Sequence, residues 1–392
     1  MKKPPRQSTN KRFPIAVLAL CIATFSSAAM AFQPDGGISD LQNIATGKII
    51  GLGNTPEPNA VLPRPGLDNA SALDALLKAP MTAEVAVRIA LMNNPELQEF
   101  LGSTGVNLSD VTLKNNPAKS KVREEITLLS AHAYKAWINA VAAAQTARYI
   151  QDVKEAAEAS GEMARRMAQV GNQSKLMQAR AQAELSEAAI QLAKALQLAF
   201  SAREELIVTL GLWGEQTEFI LPTSLPELPA QALDLPHIEA MVLRERMDLA
   251  LARYEWQLKL AKGPRPVDAD GLWDYMGESA KVRALAVKTR SEARNAYNTY
   301  RVAYDVARHM QSEVVPLRKF INDEMVLRYN GMLASIFDVL ADSRVQVLGV
   351  SSALEAQRDF WLAHADLQAL LAGVSLSGLN GGTAAADTPK AR

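Results

Sequence analysis

The sequence predicts an all-α protein made of two copies of a long antiparallel helical hairpin that packs as a coiled coil. Residues 121–170 and 174–210 contain no proline. At about 1.5 Å per residue, such runs form helices of roughly 75 and 55 Å. Apolar or small residues also recur every seven residues, which is typical of the seams between paired helices. The members of this ladder are Leu185, Leu192, Ala199 and Leu206.

The second half of the chain is predicted to repeat the first. A shift of 162 residues takes Gly211, which follows the first pair of runs, onto Gly373. An ordinary antiparallel coiled coil explains the seven-residue period equally well. The repeat adds the prediction that one chain contains two helical hairpins. The shifted ladder falls on Val347, Leu354, Trp361 and Gln368.

Residues 1–31 are typical of a secretory signal peptide. A basic stretch from Lys2 to Arg12 precedes the apolar run 13–25, and small residues end at Ala31. A membrane anchor is the alternative, but the apolar run is shorter than the roughly 20 residues that a spanning helix needs. Cys21 directly follows a leucine, so lipidation is not expected there. The sequence therefore predicts an exported protein.

Proline and glycine divide the rest of the chain. Residues 213–236, the linker between the two repeats, hold four prolines. We therefore expect the chain to cross between the repeats there without regular structure. Pro316 is the one kink expected inside the second repeat. The predicted segments are an extended arm (32–80), the first helical-hairpin repeat (81–212), the linker (213–236), the second repeat (237–373) and a disordered tail (374–392).

Composition excludes several functions. Beyond the five basic residues of the leader, 37 basic residues face 42 acidic ones, which excludes a generally basic nucleic-acid binder. Because Cys21 is the only cysteine, the mature chain can hold no disulfide, thiol nucleophile or thiolate metal site. The sequence contains no catalytic motif and no glycine-rich phosphate loop. We therefore expect neither an enzyme nor a bound cofactor or metal.

Methionines near the predicted turns leave one metal alternative open. Met163 and Met167 lie one helical turn apart, and Met177 follows the first turn. Met325 and Met332 lie close to the second turn. Thioethers suit copper(I). Methionine also fills irregular gaps near helix ends, and that is the role we expect here.

Four further segments carry a family resemblance: an opening helix, two turns at hairpin tips and a proline-containing linker. In their order along the chain, inside a duplicated frame, they resemble the outer membrane factor family, the TolC-like export ducts of bacterial efflux pumps. The segment Tyr329-Asn330-Gly331-Met332 is similar to the corresponding segment in the branch of the family associated with heavy-metal efflux. The resemblance covers about residues 81–373, and the four segments are 81–97, 170–174, 328–335 and 221–229.

The resemblance implies a homotrimeric helical tunnel in the periplasm or outer membrane of a Gram-negative bacterium. Such a protein is a passive export conduit that works with a periplasmic adaptor and an inner-membrane pump of the RND type, and binds no nucleic acid. In the family, the hairpin tips meet the adaptor. The matching residues here are Gly171, Asn172, Ser174, Gly331, Met332 and Ser335. For each of these, an ordinary turn residue is the alternative.

The family also constricts its entrance with acidic residues near the second tip. Asp338 matches the first of these positions, while the next falls on Ala341, with Asp342 beside it. Three copies of such acids around an axis would repel one another and attract cations. A solvent-facing carboxylate on a helix is the alternative for Asp338.

The family's β-barrel strands are predicted to be reduced or absent. Family members carry four strands per chain, and each spanning strand needs about 9–11 residues. The windows available here are 98–120 and 263–274, and the second is broken by glycine and proline. This departure leaves an alternative function, a periplasmic coiled-coil scaffold or adaptor that binds pump components without conducting.

Overall fold

A computed structural model of the chain describes residue 73 and residues 75–104, 117–261 and 269–377. Within these ranges the chain is helical and contains no strand. The predicted all-α fold of paired long helices is therefore confirmed. The signal peptide, most of the arm and most of the tail lie outside the described residues. So do 105–116 and 262–268 in the two strand windows, whose described parts are helical.

Each half of the chain contains two short helices followed by a long antiparallel pair. The first half comprises α1 (Ala83–Asn93), α2 (Pro95–Thr104), α3 (Pro117–Gln169) and α4 (Lys175–Leu210). The second half comprises α5 (Ile238–Glu245), α6 (Met247–Ala261), α7 (Ala269–His309), α8 (Val315–Asn330) and α9 (Ile336–Leu371). Helix α4 packs along α3, and α9 packs along α8 and α7.

The helix caps give the register of the duplication. Ser335 caps α9 as Ser174 caps α4, and these positions differ by 161 residues. Both helices are 36 residues long. At this shift three of the four ladder residues of α4 fall on buried residues of α9, namely Ala353, Phe360 and Leu367. The sequence shift of 162 holds at the two glycines but places the ladder one residue off.

A π-helical segment, Met310–Val314, separates α7 from α8. Before it, buried Ala133 corresponds to buried Ala293 at a shift of 160. Beyond it, the ends of α3 and α8 differ by 161 residues. A π-helical turn accommodates one inserted residue. The segment precedes Pro316, which cannot donate the next backbone hydrogen bond, so the irregularity expected at this proline takes the form of a π-helical turn.

Side chains from both halves hold the linker. Trp361 Nε1 and Gln357 Nε2 donate hydrogen bonds to the carbonyl of Pro226 at 3.1 and 2.7 Å. From the first half, a guanidinium N–H of Arg148 donates to the carbonyl of Thr223. Apart from one short 3-10 turn, Gly214–Thr217, the linker forms no helix or strand. Its path over the bundle is therefore fixed by these contacts.

Each half has its own apolar core, and Trp361 packs against both. The first core joins α1 to the paired ends of α3 and α4, and the second joins α5 to α7 and α9. Over the ranges that the structure covers, no helix combines the length and apolar character needed to cross a membrane.

His364 lies inside the second core among aromatic rings. Its ring centroid is 5.9 Å from that of Tyr300 and 5.5 Å from that of Trp361. Its Nδ1 atom is buried without a hydrogen-bond partner. Burial lowers the pKa of His364 from 6.5 to about 4, because a charged ring would lose its hydration there.

We expect the free energy of unfolding to fall between pH 6.5 and 4 because of His364. In this window the unfolded chain binds a proton that the folded chain excludes, so acid favours unfolding, by about 3 kcal/mol across the window. Urea denaturation at pH 7 and pH 4 of the wild type and of His364→Leu measures this term. The variant should lose less stability than the wild type, and equal losses would rule out His364 as the cause.

Candidate functional site

The two long helical pairs end in the same turn. In the first, the N–H of Asn172 donates to the carbonyl of Met167 at 2.9 Å. In the second, the N–H of Leu333 donates to the carbonyl of Arg328 at 2.8 Å. Bonds of this span close the carbonyl end of a helix. The structure places the six predicted tip residues in these turns: Gly171, Asn172 and Ser174 in the first, and Gly331, Met332 and Ser335 in the second.

Both tips are completed by serine caps. Ser174 Oγ accepts a hydrogen bond from the N–H of Met177 at 3.3 Å, and Ser335 Oγ accepts one from the N–H of Asp338 at 3.2 Å. The Asp338 carboxylate accepts a bond from the N–H of Ser335 at 2.9 Å, which completes a capping box. These serines therefore fix the starts of α4 and α9.

The two candidate entrance acids have different surroundings. Hydrogen bonds from Ser335 hold the pKa of Asp338 below its ordinary value, because they stabilise the ionised form. Asp342 lies one turn later on α9, and its Oδ2 atom is buried without a hydrogen-bond partner among the described residues. The capping role of Asp338 was missed by the sequence analysis, although Ser335 and Asp338 have the spacing of a capping box.

The left-handed position of each turn is filled differently. Gly171 has φ of 76°, and the equivalent residue of the second turn, Met332, has φ of 60°. Gly331, the glycine that the sequence offers there, has an ordinary φ of −81°. Among the described residues, Met332 is the one non-glycine with positive φ. This conformation costs a residue with a Cβ about 1–2 kcal/mol.

The described residues offer the Met332 side chain little contact that could offset this strain. Met332 is 94% exposed and the next residue, Leu333, is 82% exposed. A methionine and a leucine therefore project into solvent at the end of the second hairpin. The first tip has Gly171 and Asn172 at the same two positions.

A second surface joins the two halves of the chain through α3 and α9. Ala131 of α3 packs in one apolar cluster with Ala369 of α9. One helical turn away, Lys135 Nζ forms an ion pair with Asp366 at 2.8 Å. One face of each helix is therefore used to hold the repeats together.

Helix α4 carries the equivalent of the α9 face, which has no partner among the described residues. At the shift of 161, Trp361 and Ala369 correspond to Phe200 and Val208. Phe200 is 60% exposed and Val208 is 73% exposed. Large exposed apolar side chains aligned on one helix face mark an interaction surface. We call this surface the open face of α4.

Helix α7 carries the equivalent of the α3 face, again without a partner. At the shift of 160, Ala131 corresponds to Ser291, which is exposed. Three turns further along the same face lies Val302, which is 53% exposed. We call this surface the open face of α7.

The charges on the two open faces complement each other. Glu205 on α4 is exposed and occupies the position of Asp366. Asn295 on α7 occupies the position of Lys135 and is flanked by Arg294, an exposed cation whose Nε lies 3.6 Å from Glu239. An acid on α4 can therefore meet a cation on α7, as Asp366 meets Lys135 inside the chain.

The described residues offer no metal centre of the common kind. No group of three or more His, Asp or Glu side chains in those ranges is arranged to hold a metal ion. Of the methionines considered for copper(I), Met177 accepts a hydrogen bond through Sδ from Arg180 Nη1 at 3.9 Å. A guanidinium cation beside the thioether disfavours binding of a second cation.

Comparison with known proteins shows a shared fold. No protein-family model matches the chain, and no curated protein matches it in sequence. CusC, solved in a study of folding and transmembrane channel formation, aligns over 81% of this chain and 97% of its own, with a TM-score of 0.55 and 12% identity. The Campylobacter jejuni CmeC outer membrane channel aligns over 83% of this chain and 94% of its own, with a TM-score of 0.53 and 13% identity.

The open-state Neisseria gonorrhoeae MtrE outer membrane channel gives a TM-score of 0.54 and 16% identity, over 78% of this chain and 89% of its own. These alignments span nearly the whole of each channel. The resemblance to outer membrane factors that the sequence predicts is therefore confirmed at the level of the fold.

Proposed function

We propose that this chain is an outer-membrane-factor-like component of an efflux system, and that three copies close into a ring of long helices around a passive conduit. The open faces of α4 and α7 carry this proposal. They reproduce the two faces that join the repeats within the chain, so α4 of one copy can meet α7 of the next in the same way. Contacts between two different faces are heterologous, and they close into a ring when the rotation from one copy to the next divides a full turn.

The conduit would perform no chemistry, and its substrate would be moved by a partner's energy. We propose that the chain works in the periplasm, the outer membrane or both, in a Gram-negative cell. An inner-membrane pump of the RND type and a periplasmic adaptor would complete the assembly. The adaptor would meet the two hairpin tips. Asp338 and Asp342, on the first turns of α9, would then lie near the entrance and attract cations.

Cross-linking of introduced cysteines tests the ring. Ala131 and Ala369 pack together inside the chain, and the corresponding residues on the open faces are Ser291 and Val208. The variant with Val208→Cys and Ser291→Cys, treated with dibromobimane, should give covalent species up to a trimer on a denaturing gel. The sequence's only cysteine, Cys21, lies in the predicted signal peptide, so the mature protein provides a clean background.

The matched control carries Ala131→Cys and Ala369→Cys, whose cross-link should stay within one chain. Failure of the open-face variant to link copies while the control reacts would contradict the ring. Fractionation of the host then separates the two functions that the sequence left open. Trimers in the outer membrane fraction support the conduit, and soluble monomers in the periplasm support the scaffold.

A further inference from the structure

We propose that residues 61–72 of the arm form a strap that lies across α4 of its own chain and ends on α7 of the neighbouring copy. The strap covers the contact between two copies as the linker covers the contact between the two repeats within the chain. The second step of this inference rests on the proposed function, because a neighbouring α7 is present only in the ring. The first step, from the arm onto α4, stays within one chain.

The arm and the linker enter their halves of the chain through equivalent contacts. Trp137 Nε1 on α3 donates to the carbonyl of Met81, the residue that follows the arm, at 2.8 Å. At the shift of 160, Trp137 corresponds to Tyr297 on α7, whose hydroxyl donates to the carbonyl of Leu233 in the linker at 3.4 Å. Equivalent positions on α3 and α7 therefore hold the two segments shortly before α1 and α5.

Before that contact, the linker crosses α9. Gln357 and Trp361 on α9 both donate to the carbonyl of Pro226. At the shift of 161, these two residues correspond to Leu196 and Phe200 on α4, which are 54% and 60% exposed. Leu196 and Phe200 lie four residues apart and therefore share one face of α4. An arm that follows the path of the linker crosses α4 over these two side chains.

The sequence of the arm suits an apolar contact with α4. The segment Leu62-Pro63-Arg64-Pro65 resembles the linker, in which Leu-Pro occurs four times. Proline-rich segments favour an extended backbone and bind to aromatic side chains. Phe200 offers such a surface, and neither Phe200 nor Leu196 has a side-chain donor for a backbone carbonyl. Apolar contacts therefore hold the strap where hydrogen bonds hold the linker.

The length of the arm allows this path. Leu73 and Leu77, near the end of the arm, are buried in the first core, which also holds Trp137 of α3. In extended form, residues 61–72 reach about 40 Å. Packed helices lie roughly 8–10 Å apart. The strap can therefore cross α4 and reach the next helix, which in the ring is α7 of the neighbouring copy.

The neighbouring α7 offers an acceptor where the strap ends. Within the chain, the linker meets α3 at Gln145, whose Oε1 accepts the N–H of Leu225 at 3.1 Å. At the shift of 160, Gln145 corresponds to Asp305 on α7, which is exposed. A carboxylate accepts a backbone N–H as an amide oxygen does. Asp305 of the neighbouring copy can therefore hold the strap as Gln145 holds the linker.

Photo-crosslinking of the mature protein tests where the arm lies. Phe200 is replaced by the photoreactive amino acid p-benzoylphenylalanine. On irradiation, position 200 should link mainly to residues 61–72, which lie in the tryptic peptide 49–78, and the product should have the mass of one chain. The matched control carries the same replacement at Phe320 on α8, which is also 60% exposed and should not link to this peptide.

A second variant tests what the strap does for the contact between copies. Replacing residues 61–67 with glycine and serine leaves the buried Leu73 and Leu77 in place. Because the apolar cover over α4 is lost, the protein concentration at which half of the trimer dissociates should rise about tenfold or more. Analytical ultracentrifugation over a dilution series measures this concentration.

A main link from position 200 to peptide 49–78 of the same chain, together with weaker association of the variant, supports the strap. A main link to α7, to residues 378–392 or to the arm of another copy overturns it, because a different segment then covers α4. Unchanged dissociation of the variant overturns it as well, as does an equal link from position 320. Cross-linking through Val208→Cys and Ser291→Cys reports the ring separately. A link to peptide 49–78 without covalent trimers would contradict the ring and the second step of the strap, while the first step would stand.

Discussion

Replacing Gly373 with alanine is expected to cost about 4 kcal/mol or more of the free energy of unfolding, which is the range of severe backbone clashes. Gly373 has φ of 99°, and a Cβ there would overlap the carbonyl oxygen of Glu245 and lie 3.0 Å from its carbonyl carbon. These are backbone atoms at the break between α5 and α6, so they cannot rotate away. The carbonyl of Gly373 also accepts the N–H of Met247 at 3.2 Å.

The first half of the chain predicts the same outcome at its own glycine. A Cβ on Gly211 would lie 2.6 Å from the carbonyl oxygen of Asn93 and 2.9 Å from Cδ of Pro95. In each half, backbone atoms at the break between the two short helices lie directly against the glycine that follows the last long helix. Gly211→Ala should therefore destabilise the protein for the same reason as Gly373→Ala.

The matched control is Gly161→Ala in the middle of α3. A Cβ there would meet only Cδ2 of Leu185 at 3.8 Å, an ordinary contact. Alanine in a helix interior is favoured over glycine by about 1 kcal/mol, so this variant should be more stable than the wild type. Urea denaturation followed by circular dichroism compares the three variants. If Gly373→Ala were as stable as Gly161→Ala, the backbone at the junction between α5 and α6 would be able to move away from the added Cβ.

The two glycines show which part of the fold could be predicted from the sequence. Both were predicted as helix ends from the repeat, because a glycine after a long apolar ladder is a strong local signal. The ladder was placed one residue off, because one extra residue, Ala372, lies between the end of α9 and Gly373. The π-helical segment changes the shift by one more residue earlier in the second half. Local composition does not show such insertions.

At the tips, the sequence located the turns but not the residue that is strained. Gly331 is the natural choice for a left-handed position, yet the structure gives that conformation to Met332. The hydrogen bond from the N–H of Leu333 to the carbonyl of Arg328 places Met332 in the left-handed position. The sequence does not show at which residue α8 ends, so it does not show which residue takes that position. The open faces of α4 and α7 could not be predicted either, because exposure depends on which copy of a duplicated face finds its partner inside the chain.

The second large effect is expected at Arg246, where the two halves differ most. The equivalent residue of the first half, Asn94, donates to the carbonyl of Thr209 at 3.0 Å and needs no charge. Arg246 is 1% exposed and pairs with Asp248 at 2.8 Å and Glu292 at 2.7 Å. Replacing it with alanine removes the buried cation from both carboxylates and leaves Glu292 only the longer ion pair with Lys288, at 3.7 Å. The expected loss is about 3–5 kcal/mol of the free energy of unfolding.

The acids around Arg246 make this loss depend on pH. Burial, followed by the charge of Asp248, raises the pKa of Glu124 on the facing helix α3. Without Arg246, Glu124 loses a cation that lowers its pKa, so the pKa of its carboxyl group should rise further. Carboxylates with raised folded-state pKa values destabilise the fold when ionised and recover stability as they protonate. The difference between Arg246→Ala and the wild type should therefore shrink from pH 7.5 to pH 5.

Two further variants separate charge burial from loss of packing. In the Arg246→Ala background, Glu292→Gln removes one carboxylate that has lost its contact with the arginine and should restore part of the lost stability at pH 7.5. Arg165→Ala breaks an exposed ion pair with Glu162 on α3, and we expect no measurable change there, since exposed pairs contribute little. A pH-independent loss in Arg246→Ala that Glu292→Gln does not relieve would assign the effect to packing of the arginine side chain. In that case the second junction, like the first, would be held together without its charges.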